Sequence, residues 1–174
     1  DIPAGTSIHH LTLNELDVAD YRTFFKVKPP LRSEEDRQAV IDAVRSGLID
    51  VICSMHTPQD VESKRLPFEE AASGAVALET LLPAALRLYH SGDLDLPTLF
   101  RAMALNPAQR LGLAAGRLAP GSPADLLLFD PDKPFVMDRT TLHSKSKNTP
   151  FDGQRLQGKV RLTYVAGTRV YEAA

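Results

Sequence analysis

The stretch Leu48-Ile49-Asp50-Val51-Ile52-Cys53 runs straight into Ser54-Met55-His56-Thr57-Pro58, and its reading decides the fold. Asp50 is the only polar residue of the first six. A short run that is apolar on both faces predicts a strand over 48–53, in a parallel sheet. The residues before it predict a helix. Ser33 is a good N-cap, and Asp36, three residues on, is an acidic variant of the capping-box partner. Ala39, Val40, Ala43 and Val44 give an apolar stripe at helical spacing, and Gly47 is a natural stop. A helix feeding a parallel strand is α/β grammar.

Upstream, residues 1–32 read as irregular, with a short strand over 9–13 and a helical turn over 14–19. Phe24 to Arg32 is basic and extended, because Pro29 and Pro30 forbid helix there. Downstream, 54–74 is a long loop with two prolines and both charge signs, hence either functional or disordered. Helices are expected over 75–90, kinked or broken at Pro83, and over 97–104, capped by Asp95. Asn106 reads as an N-cap with Pro107 at the first helical position, opening a turn through Leu111. After Gly116 the pattern changes. A turn at 121–123 precedes a strand over 124–130, and 140–156 is polar without periodicity. Residues 159–165 alternate cleanly and return over 168–171 as a hairpin through Ala166-Gly167. Two domains are therefore expected, 1–115 and 116–174.

Composition bounds the function. The 174 residues are 43% hydrophobic and 24% charged, with a formal net charge of -2. That balance fits a globular chain and gives no reason to expect nucleic acid or an anionic membrane as partner. No apolar run approaches a membrane span. The N-terminus has no basic region before an apolar core, so no signal peptide is expected. Without an initiating Met it reads as a processed end or an internal start. The one cysteine, Cys53, makes no internal disulfide, and a reducing, cytoplasmic setting is the simpler assumption.

Five runs then arrive in a fixed order: His9-His10-Leu11, Lys26-Val27-Lys28-Pro29-Pro30-Leu31-Arg32, Ser54-Met55-His56-Thr57-Pro58, Leu66-Pro67-Phe68-Glu69-Glu70-Ala71 and Asn148-Thr149-Pro150-Phe151. Together they resemble the class I dihydroorotases of the amidohydrolase superfamily. Gly121-Ser122-Pro123-Ala124-Asp125-Leu126 is similar to that superfamily's return from barrel to small β-sandwich. The resemblance implies the C-terminal part of a (β/α)₈ barrel, with its last two strands, plus part of the β-sandwich. The N-terminal part of the same barrel is then the expected partner. The family's zinc ligands come from earlier strands and are expected upstream of this stretch, leaving no metal ligand here. The pair His9-His10 follows the last histidine ligand and is not itself one. Two adjacent histidines on a strand also point to opposite faces.

Opening a cyclic amide takes a metal-generated hydroxide and a base that moves its proton to the leaving nitrogen. The family uses the aspartate of an Asp-His-x-Pro-His run just past the eighth strand. By resemblance Met55 falls on that aspartate. A thioether carries no proton near neutral pH and is a poor zinc ligand beside imidazoles, so no catalytic residue is retained. Asp60 and Glu62 are the alternative carboxylates of the same loop. For substrate binding, Gln59 falls on a histidine contact and Lys28 on an asparagine contact. Lys28 either neutralises a substrate carboxylate or reaches solvent. Ser73-Gly74 matches the dipeptide whose backbone meets the ring amide, and Gly74 permits close approach. His56 keeps its family place, yet a lone histidine beside a loop equally suits a structural hydrogen bond. Arg32 and Lys64 read as solvated or locally paired, and Cys53 as a buried inert thiol.

The resemblance implies a dihydroorotase: zinc-dependent, reversible hydrolysis of dihydroorotate to carbamoyl aspartate in pyrimidine synthesis. This stretch alone would be inactive, and a homodimer is expected. The alternative is a non-catalytic relative that serves as structural partner of aspartate transcarbamoylase. Met55 favours the alternative; the retained loop and Ser73-Gly74 favour the enzyme. Hydantoinases and allantoinases fit the Pro-Pro-Leu-Arg and Asn-Thr-Pro-Phe runs less well.

Overall fold

The structure, a computed structural model, describes residues 2–173. Strand β1 (Gly5–Ser7) leads directly into helix α1 (Ile8–Thr12). The expected strand over 9–13 is therefore a helix. The Ser7 side chain caps it by accepting from the His10 N–H, and this local bond outweighs the β-compatible composition. Asn14 then caps a 3₁₀ turn, Glu15–Val18, through a complete capping box, and a second 3₁₀ turn spans Thr23–Phe25. Helix α2 (Glu34–Arg45) starts at Ser33 as expected, with three acidic residues in its first turn favoured by the helix dipole. It buries Ile41 and Val44, whereas Ala39 is exposed, so the apolar stripe is rotated from the expected one.

Strand β2 (Val51–Cys53) is half the expected length. It pairs in parallel with β1, Gly5 opposite Val51 and Ser7 opposite Cys53. Its partner has three residues, and Leu48 is 74% exposed, outside the sheet. Within the long loop, α3 (Val61–Arg65) forms one short helix capped by Asp60. Helix α4 (Leu81–His90) begins six residues later than expected. Pro83 lies in its first turn, where a missing N–H costs no intrahelical bond, so the proline neither kinks nor breaks it. Helix α5 (Leu96–Phe100) is capped by Asp95, as expected, and continues through a π-turn (Arg101–Leu105) into α6 (Asn106–Arg110). Asn106 is thus no N-cap; its side-chain amide donates to the Asp50 carbonyl at 2.8 Å.

Strands β3 (Leu126–Val136), β4 (Arg155–Val165) and β5 (Thr168–Glu172) form an antiparallel sheet in that order, with the expected hairpin between β4 and β5. The fold is α/β, with one parallel and one antiparallel sheet and no closed barrel among the described residues. One core joins Ile8 and Leu11 of α1, Ile41 of α2, Ile52 of β2 and Leu88 of α4 to Phe151 and Leu156. Gly158 lets α4 approach β4: a Cβ there would stand 2.2 Å from Leu86 Cδ1. Among the described residues no helix is long and apolar enough to cross a membrane.

Candidate functional site

Parallel pairing puts the C-terminal ends of β1 and β2 side by side. The residues just beyond them, His9-His10 and Met55, therefore meet at one end of the sheet. A cavity of about 50 Å³ opens there, room for about one or two waters. Lys28, Met55, Ser73 and Gly74 line it together with Ser7, His9 and His10. Four of the five expected site residues thus converge. Gln59 stands behind them: its side-chain amide donates to the Ser73 carbonyl at 3.0 Å.

The Ser73–Gly74 edge is held from several sides. The Gly74 N–H donates to the Lys26 carbonyl at 2.8 Å, and the Asn148 amide donates to the Gly74 carbonyl at 3.0 Å. Gly74 has φ +138°, and a Cβ would stand 2.7 Å from the Thr57 carbonyl oxygen. Only glycine fits that close approach. Asn148 is 3% exposed and also accepts from the Gln59 N–H at 3.4 Å. Its buttressing role is invisible in the sequence, where it sits in a polar stretch without periodicity.

Met55 has φ +48°, a left-handed backbone that is unfavourable for a residue with a Cβ, and is 40% exposed. His10 is fully engaged. Its Nε2–H donates to the Pro29 carbonyl at 3.1 Å, so its Nδ1 accepts from the Ser7 hydroxyl at 2.7 Å. His9 is 1% exposed, and neither ring nitrogen has a partner among the described residues. Burial, with the neighbouring His10 as a lesser cause, pushes it down to about 4, so it is neutral at pH 7. Since both histidines lie on α1, their divergence comes from helical rather than strand geometry.

His56 has a structural role: its Nδ1 accepts from the N–H groups of Ala77 and Leu78 at 3.0 and 3.3 Å. Asp60 caps α3 and Glu62 pairs with Arg65 at 2.9 Å, so neither carboxylate lines the cavity. Arg32 is exposed and pairs with Asp36. Cys53 is half-buried, its thiol donating to the Thr6 carbonyl at 3.3 Å. Lys64 departs most from its sequence reading. It is 5% exposed and donates to the carbonyls of Ala72, Thr23 and Lys26.

The cavity presents the Ser73–Gly74 edge, with Lys28 among its lining residues. It contains no carboxylate. Zinc does not fit this donor set. Among the described residues no three His, Cys, Asp or Glu side chains cluster, His10 is spoken for on both nitrogens, and Met55 offers only a thioether.

Residues 6–170 match the family model described as the amidohydrolase family. The chain belongs to the amidohydrolase family. Over 171 residues it is 45% identical to the dihydroorotase of Desulforapulum autotrophicum, covering 98% of this chain and 40% of that protein. The dihydroorotase of Ehrlichia chaffeensis is 41% identical over 165 residues, 95% of this chain and 37% of that protein. Among solved structures, the L-hydantoinase (dihydropyrimidinase) of Arthrobacter aurescens superposes with a TM-score of 0.93 at 34% identity, over 99% of this chain and 40% of that one. The chain thus spans about two fifths of the length of the relatives it matches. Within the family, the dihydroorotase-like kinship expected from the ordered runs is found, alongside close structural likeness to a hydantoinase.

Proposed function

We propose that this chain is the C-terminal part of a dihydroorotase-type cyclic amidohydrolase and supplies binding surface rather than hydrolytic chemistry. Residues 1–115 complete the barrel and 116–174 contribute to the small β-sandwich. Ser73-Gly74 meets the ring amide, Lys28 faces the substrate's carboxylate, and Gln59 holds the Ser73 carbonyl in place. Met55 occupies the position of the proton-carrying aspartate. Zinc, where the complete protein holds it, would polarise the amide and activate water through ligands from elsewhere in the barrel. The observation that carries this reading is the convergence of Lys28, Met55, Ser73 and Gly74 on one cavity without a carboxylate. The open two-stranded parallel sheet, and apolar strand residues such as Leu128 and Val170 at 56% and 60% exposure, support a larger assembly covering them.

Met55 also favours a second reading: a non-catalytic member that acts as a structural partner of aspartate transcarbamoylase. Isothermal titration of the protein from the complete reading frame tests the binding role. Dihydroorotate binding by that protein, with no hydrolysis by residues 1–174 alone, is the expected result. Failure of the complete protein to bind, or hydrolysis by residues 1–174 alone, would overturn it.

A further inference from the structure

The segment leading to Lys28 and the segment leading to Ser73-Gly74 are bridged by a buried ammonium. Lys64 Nζ donates to the Ala72 carbonyl at 2.7 Å, the Thr23 carbonyl at 2.9 Å and the Lys26 carbonyl at 3.4 Å. Buried cations ordinarily pair with an acid. Among the described residues Lys64 has no acidic partner, and its charge is met by three carbonyl dipoles. The Lys26 carbonyl is shared, since it also accepts the Gly74 N–H. The Thr23 hydroxyl returns a bond to the Lys64 carbonyl at 2.6 Å. From the other side, the Lys26 ammonium donates to the carbonyls of Phe68 and Glu69, both at 2.7 Å. Ala72 lies two residues before Gly74, and Lys26 two before Lys28.

We propose that Lys64 is a positioning residue that fixes the spacing between Lys28 and the Ser73–Gly74 edge, so that one ligand meets both at once. The inference rests on the reading of those residues as ligand contacts. An ammonium offers three donors to three carbonyls, and an apolar side chain of similar length offers none. Lys64→Met therefore keeps the packing and cuts the tie.

The test uses the protein from the complete reading frame. Amide exchange is followed at Gly74, and at Leu88 in α4 as a core reference, with dihydroorotate affinity measured by calorimetry. In Lys64→Met, exchange at Gly74 should rise by at least about tenfold while Leu88 changes little, and affinity should fall about tenfold. Equal acceleration at Leu88 would make Lys64 a general stabiliser and overturn the proposal. So would unchanged affinity. Absence of dihydroorotate binding in the unsubstituted protein would overturn the ligand reading itself, a distinct failure. If Lys64→Met does not fold, Lys26→Met cuts the parallel tie and is read by the same outcomes.

Discussion

The His9 imidazole stacks on the Phe151 ring, with centroids 6.2 Å apart and planes 20° from parallel. This contact joins α1 to the Asn148–Phe151 run within the core, and neither histidine nitrogen has a partner among the described residues. Charging that ring in place is unfavourable. Its folded value of about 4 lies below the ordinary 6.5, so the unfolded chain binds the proton first as pH falls. The stability contribution is complete above pH 6.5 and is lost between there and pH 4. The loss amounts to about 3.5 kcal/mol, at roughly 1.4 kcal/mol per pH unit. Urea unfolding at several pH values should show this slope, and His9→Leu should flatten it. An unchanged slope in His9→Leu would contradict the assignment.

Met55 carries a strained backbone with little burial to recompense it. Asparagine tolerates the left-handed region better than methionine does. Met55→Asn should therefore raise stability by about 0.5–1 kcal/mol, seen as a higher urea midpoint at constant m. A clear loss of stability would show that the thioether makes contacts worth more than the strain.

Gly74→Ala places a methyl group against the Thr57 carbonyl and Cγ2, and within 3.0 Å of Gln59 Nε2. A cost of about 1–3 kcal/mol is expected from overpacking, with more from the unfavourable φ. Ligand binding should fall with it, because the displaced edge is the one that faces the cavity. An alanine variant with normal stability would contradict the close approach described.

Local signals were the legible ones. Ser33 and Asp95 announced their helices because capping is decided within four residues, and the alternation over 159–165 announced a hairpin because register is set by a two-residue turn. Lys28, Met55 and Ser73-Gly74 are singled out by the family resemblance, and the tertiary fold is what brings them to one cavity. Other features depend on distant partners. Leu48 reads as strand by composition, yet β1 offers no residue opposite it. Lys64 reads as solvated, yet three carbonyls from two separate stretches of chain enclose it. Asn148 reaches back 74 residues to Gly74, a contact no window of sequence contains.

Met55, read as standing where the family has its proton-carrying aspartate, would deprive the site of that proton carrier and of a metal-binding oxygen. Loss of a positioned general base alone costs about 10² to 10⁴ in rate. The direct measurement is zinc content and dihydroorotate hydrolysis by the protein from the complete reading frame, before and after Met55→Asp. The account predicts negligible turnover with Met55, and a joint rise of zinc content and turnover with aspartate. Turnover with Met55 in place that equals that of the Met55→Asp variant would contradict it.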